Sequence, residues 1–182
     1  EAIHDRKRVS ALGLPLIVKA VAGGGGRGMR IVRDMKDYDE TVATCEREAL
    51  AFFANATVFV ERYIESPRHI EIQVLADQHA HAVHLYERDC SIQRRHQKLL
   101  EESPSSVLTR PEADTLGRAA LKLVQAIGYT GVGTVEFIRS PSGETFFMEM
   151  NTRIQVEHPV PEMVTGVALV KEQIRVARGQ LL

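Results

Sequence analysis

The stretch from Phe147 to His158, FMEMNTRIQVEH, limits what this chain can fold into more than any other. Read with a period of two, Glu149, Asn151, Arg153, Gln155 and Glu157 fall on one face and Met148, Met150, Ile154 and Val156 on the other. A strand of that kind grips a core with one side and presents charge with the other. Upstream, Gly133 to Arg139 (GTVEFIR) is a second strand candidate, and Ser140-Pro141-Ser142-Gly143 between the two is turn chemistry. With the loop centred between Ser142 and Gly143, Glu136 lies directly across from Glu149. Two carboxylates facing each other across a ladder repel. A cation between them removes the repulsion, and Asn151 adds an amide oxygen, giving an all-oxygen set suited to Mg²⁺ with bound phosphates. The alternative leaves both Glu side chains solvated on an exposed sheet face.

A second feature lies near the start. Leu14 to Ala20 (LPLIVKA) reads as a strand with Lys19 near its exit, and Met29 to Val32 as another, so the glycine run Ala22 to Gly28 (AGGGGRG) joins two strands. Gly23, Gly25 and Gly28 match G-x-G-x-x-G, but a dinucleotide fingerprint needs a helix straight after the loop. A P-loop needs Lys-Ser/Thr where Met29-Arg30 stand. What remains is a glycine flap whose backbone N–H groups can approach phosphate, with Lys19 as the cation beside it, or else a plain hairpin tip.

Between these landmarks the spacing predicts a helix from Glu1 to about Leu12, an amphipathic helix from about Asp37 to Phe53, and a strand from Thr57 to Ile64. Arg68 to Val74 alternates strictly, with His69, Glu71 and Gln73 on the polar face, and about Ala82 to Arg88 returns antiparallel to it. His79, His81 and His84 straddle that turn without a second cluster to close a metal site and read as solvated. The run Arg88 to Lys98 (RDCSIQRRHQK) is basic but lacks interleaved aromatics, which fits a small anion better than nucleic acid. Thr109 to Ile127 is a helix with the capping box Thr109-Arg110-Pro111-Glu112, and about Pro161 to Ala177 a final helix.

With 182 residues the chain makes one domain or two small lobes, and its net charge of −1 provides no basic field for nucleic acid or membrane. Cys45 and Cys90, far apart and without C-x-x-C spacing, read as buried hydrophobes in a reducing compartment, which makes the expected location cytoplasmic, or the mitochondrial matrix in a eukaryote. No apolar run is long enough to span a membrane and no signal peptide is visible. The opening on Glu1, apparently inside a helix, points to an excised fragment.

A glycine flap between strands, a preceding Lys, and a facing Glu pair with Asn after the second resemble the ATP-grasp ligases. KAVAGGGGRGM (Lys19 to Met29), PRHIEIQV (Pro67 to Val74), ERDCSIQRRHQK (Glu87 to Lys98) and EMNTRIQVEHP (Glu149 to Pro159) together resemble the biotin carboxylase component of biotin-dependent carboxylases, over nearly the whole chain. The resemblance implies an α+β ATP-grasp fold, with a lid subdomain over residues 1–63 carrying the flap and an antiparallel-sheet core subdomain over 64–182. It implies that Lys19, Gly25, Gly26, His69, Gln93 and His96 hold ATP, with Glu61, Arg62, Tyr63 and Ile64 as the adenine-side hinge. Glu136, Glu149 and Asn151 would carry Mg²⁺ or Mn²⁺. Lys98, Arg153, Gln155 and the Val156 backbone would bind bicarbonate, Glu157 would be the general base, Arg153 would stabilise the biotin enolate, and Glu71 would belong to the same polar set. Implied partners are a biotin carboxyl carrier protein or domain, a carboxyltransferase component and, in the full-length protein, a second copy as homodimer. Ala22 departs from the Gly often found in the flap, and Pro161 from the usual Thr before Glu162-Met163; the family's N-terminal and C-terminal segments are not in this sequence. Another ATP-grasp carboxylate ligase, or a nucleotide-binding fragment without turnover, are the competing readings.

Overall fold

The computed structural model describes residues 5–23, 28–95 and 97–182, and the chain divides into two compact units, 1–65 with 95–97, and 66–94 with 98–182. Residues 1–4 of the expected first helix, the flap residues Gly25 and Gly26, and His96 lie outside the described residues.

The first unit is built on β1 (Leu16–Ala20), an apolar run whose Leu16 and Val18 are fully buried, flanked antiparallel by β2 (Met29–Val32) and β3 (Val58–Arg62) in the order β2-β1-β3. The two strands expected on either side of the glycine run are thus present. Helix α1 (Arg6–Ala11) starts on an Asp5 cap, and α2 (Tyr38–Phe53) lays Tyr38, Val42, Cys45 and Ala49 against the sheet. These positions recur at helical spacing, so one stripe of α2 is removed from water. Cys45 and Cys90 are both buried and unpaired.

The second unit is a five-stranded antiparallel sheet, order β6-β5-β4-β7-β8, formed by β4 (Arg68–Ala76), β5 (Ala82–Arg94), β6 (Gln97–Glu102), β7 (Gly131–Arg139) and β8 (Thr145–Asn151). One face carries Ile70, Ile72, Val74, Val135 and Phe137 against Ala120 and Val124 of α3 (Arg110–Ala126). The helix begins with the expected capping box, in which Glu112 reaches back to the Thr109 backbone N–H. Gly117 allows α3 to come close to the sheet, since a Cβ there would meet the His84 ring at 2.6 Å. His84 is therefore wedged against the helix with its Nδ1 buried, which corrects its reading as solvated; His79 and His81 are exposed as expected.

Three other expectations are corrected. The strand expected to end at about Arg88 does not stop there: β5 runs on to Arg94 and β6 starts at Gln97, so the residues of the basic run alternate between faces. The last helix is two, α4 (Pro159–Thr165) and α5 (Leu169–Ala177), because Gly166 takes φ of 72° and closes α4 with a left-handed turn. Finally, the period-two reading stops at Asn151, where β8 ends, and Val156 is not in the core but 92% exposed.

Candidate active site

The β7–β8 hairpin places Glu136 opposite Glu149 and Thr134 opposite Asn151, as read from the sequence. The route differs in detail. Near the turn the pairing is Arg139 with Thr145 and Phe137 with Phe147, and a shift between Glu136 and Phe137 leaves Met148 as an extra residue that restores the expected register. Beyond the hairpin, β4 pairs Glu71 with Glu136 and β5 pairs Arg88 with Glu71. Arg88, Glu71, Glu136 and Glu149 therefore form one row across four adjacent strands, with Gln73, Thr134 and Asn151 in the next row.

A row of three carboxylates is stable only if cations are interleaved. Lys98 supplies one from β6: its Nζ contacts Glu71, lies 3.2 Å from Glu136 and 2.5 Å from Glu157. His69 supplies another, with Nε2 at 3.0 Å from Glu136 and 3.2 Å from Glu71, both within ion-pair range though not in hydrogen-bond alignment. Arg88, wholly buried, is the third and lies 2.9 Å from Glu71. These three cations meet Glu71, Glu136 and Glu157, while Glu149, at the exposed end of the row, is met by none of them. Burial by itself would lower His69, but Glu136 and Glu71 outweigh it and hold the imidazole up to about 9. Burial works against Lys98 too, and the carboxylates of Glu71, Glu157 and Glu136 reverse it, so its ammonium is held well above the usual range. For Glu71 and Glu136 burial pushes upward, yet His69 and the other cations win and both carboxyls stay below the ordinary range.

On the outer side, Asn151 Nδ2 donates to Glu136 (2.8 Å) and to Glu149 (3.4 Å), and Arg153 donates to Asn151 Oδ1 (3.3 Å). Two carboxylates converging on one donor atom mark a point where a small cation fits, with the Asn151 amide turned to offer its oxygen; the donor set fits Mg²⁺ or Mn²⁺. Gln155 donates to Glu136 at 3.0 Å, and Gln93 reaches His69 Nδ1 at 3.0 Å. His69, Glu71, Gln93, Lys98, Glu136, Glu149, Asn151, Arg153, Gln155 and Glu157 are thereby joined in one network. Val156 is not part of it through its side chain. In the first unit Lys19 Nζ is paired with Glu61 at 2.6 Å, while Arg62, Tyr63 and Ile64 follow along the end of β3.

Arg88 was missed as a site residue, as were Gln73 and Thr134. Its sequence signal was present, because Arg88 pairs with the already singled-out Glu71. The β4–β5 register was hidden by a bulge between Ile72 and Val74, where Tyr86 takes φ of 64°.

The sequence profile of the carbamoyl-phosphate synthase L chain ATP binding domain matches residues 3–182, and the chain belongs to that family. It is 57% identical over 171 residues to a biotin carboxylase of Nostoc sp., covering 94% of this chain and 38% of that protein. A biotin carboxylase of Campylobacter jejuni, solved as a beta-gamma-ATP complex, superposes with a TM-score of 0.93 at 48% identity, over 96% of this chain and 39% of that one. The biotin carboxylase domain of Hydrogenobacter thermophilus 2-oxoglutarate carboxylase, a dimer solved with MgADP and bicarbonate, gives 0.94 at 47% identity, over 100% of this chain and 40% of that one. The chain thus spans 38% to 40% of the length of these relatives. Its fold is the α+β ATP-grasp fold of the biotin carboxylases. No helix among the described residues is long and apolar enough to cross a membrane.

Proposed function

We propose that this chain is the ATP-grasp part of a biotin carboxylase, which uses ATP and bicarbonate to carboxylate protein-bound biotin through carboxyphosphate, releasing ADP and phosphate. The observation that carries this reading is the sharing of Glu136 between two half-sites, the carboxylate pair meeting on Asn151 and the cation cluster around Lys98. One half suits a metal-bound triphosphate and the other a small anion, and in-line phosphoryl transfer needs both side by side.

In this reading residues 1–63 are the lid and 64–182 the core. Glu136, Glu149 and Asn151 hold Mg²⁺ or Mn²⁺, which neutralises phosphate charge when bound. Lys19, the flap glycines Gly25 and Gly26, His69, Gln93 and His96 hold ATP, with Glu61, Arg62, Tyr63 and Ile64 toward the adenine. Bicarbonate is a poor nucleophile until it loses its proton. Glu157 takes that proton, and because Lys98 already lies against Glu157, an anion held by Lys98 has its hydroxyl beside the base. Lys98, Arg153, Gln155 and the Val156 backbone stabilise the resulting dianion, Glu71 orients Lys98, and Arg153 then serves the biotin enolate. The partners are a biotin carrier protein or domain, a carboxyltransferase component and a second copy of the complete polypeptide, in the cytoplasm or a mitochondrial matrix; nucleic acid and membrane are not among them.

ATP hydrolysis by the complete polypeptide is expected to require bicarbonate, and biotin carboxylation to vanish in Arg153→Ala. Turnover driven by another carboxylate, with bicarbonate inert, would move the protein to a different ATP-grasp ligase.

A further inference from the structure

Arg88 is the most buried cation of the second unit, at 0% exposure, and it makes more side-chain contacts than one ion pair needs. Its Nε and Nη2 both reach Glu71 Oε2, at 3.2 and 2.9 Å. Nη1 donates to Gln73 Oε1 at 2.6 Å, and Nη2 also to Thr134 Oγ1 and Gln155 Oε1, at 3.3 and 3.2 Å. One planar fork thus ties β4, β5 and β7 to the segment after β8.

A guanidinium can only donate, and an ionised carboxylate can only accept. The Gln155 atom facing Arg88 must therefore be its oxygen, and the atom facing Glu136 its nitrogen. With both ends fixed, the amide cannot flip without setting its NH₂ against the guanidinium and its oxygen against the carboxylate. The Gln155 NH₂ shares its acceptor, Glu136 Oε1, with Lys98 Nζ, and its second hydrogen has no acceptor among the described residues. An anion entering beside it meets a donor rather than a carbonyl oxygen.

We propose that Arg88 is a positioning residue for the anion half-site: it locks the Gln155 side-chain amide with its NH₂ toward the bound bicarbonate and anchors Glu71 behind Lys98. The inference rests on the biotin carboxylase reading for the identity of the anion, but not for the lock itself. Arg88 touches no substrate; it acts through Gln155 and Glu71. Lysine can keep the charge beside Glu71 but, as a single ammonium without the fork, cannot span Glu71, Gln73 and Gln155 together.

The test uses Arg88→Lys, with Arg88→Met as the harsher variant, in the complete polypeptide, and Gln155→Leu to identify the Gln155 side-chain NH₂ resonance. In a folded Arg88→Lys protein, hydrogen exchange at that NH₂ is expected to speed up about tenfold, and kcat/KM for bicarbonate to fall about tenfold or more with KM for Mg-ATP within about twofold. Unchanged exchange at the Gln155 amide, or equal losses for ATP and bicarbonate, would overturn the proposal. Should Arg88→Met not fold while Arg88→Lys folds and exchanges like the parent, the residue is structural only and the proposal falls. Faster Gln155 exchange in a protein whose ATP turnover ignores bicarbonate would keep the lock and reject the carboxylase reading instead.

Discussion

Strands β4 and β7 bury residues on both faces of the five-stranded sheet, yet the two sets are held in opposite ways. On one face Ile70, Ile72, Val74, Val135 and Phe137 meet α3 through apolar contacts that have no direction, so that any side chain of similar volume serves. On the other, Glu71, Gln73, Arg88, Thr134 and Glu136 are buried with partners whose geometry is fixed, and losing one leaves a charge stranded. The first face can be altered piecemeal and the second only as a set. Farther along β4 and β7 the second face turns apolar again, where Leu75 and Val132 pack with Leu169 and Val176 of α5. Charge is buried elsewhere too: Asp89 and Glu87 of β5 lie across from Ile70 and Ile72, where Arg68, Ser91 and Ser105 satisfy them.

The largest effect should come from stranding a charge. Glu71→Leu leaves Arg88 without its carboxylate and is expected to cost about 3–5 kcal/mol in urea unfolding. Combining it with Arg88→Met removes both charges and should recover most of that loss; a double variant no more stable than Glu71→Leu alone would break the contrast between the faces. On the apolar side, Ile72→Ala is expected to cost about 2–5 kcal/mol through lost burial and the cavity left behind. Unlike the Glu71 change, it should leave Mg-ADP affinity untouched in the folded fraction, measured by calorimetry. The smallest effect lies at the start of the helix covering that apolar face. Glu112 accepts from the Thr109 backbone and hydroxyl and from Arg139, which hold its carboxyl down at about 2. Because its folded pKa is depressed below the ordinary 4.5, its contribution is present above that pH and fades as pH falls toward 2. The melting temperature of Glu112→Gln should therefore lie below the parent's at pH 7 and converge with it in acid; a constant gap would remove Glu112 from the account.

The contrast also explains what could be read from the sequence. Apolar periodicity located seven of the eight strands among the described residues and the two long helices, α2 and α3, and the paired Glu136 and Glu149 followed from the turn at Ser140 to Gly143. Residues after Asn151 kept a period of two without being a strand, because there the alternation reflects Gln155 turning back toward Glu136 and Glu157 toward Lys98 rather than a pleat. Arg88 looked like one member of a basic run suited to a small anion, since nothing local distinguishes a buried Arg from an exposed one. Strand β6 stayed hidden in the same run, its Lys98 being read as a charge and not as a sheet position. Directional networks are long-range facts: Arg88 finds Gln155 across 67 positions of sequence.

The most direct test of the central claim is a calorimetric titration of this chain with ADP, with and without Mg²⁺, beside Glu149→Gln and Arg153→Ala. The account predicts binding that requires Mg²⁺, weakened roughly tenfold or more in Glu149→Gln and preserved in Arg153→Ala, because the first residue belongs to the metal half of the site and the second to the anion half. Binding that ignores Mg²⁺, or equal losses in the two variants, would contradict the division of the sheet's polar face into those two halves.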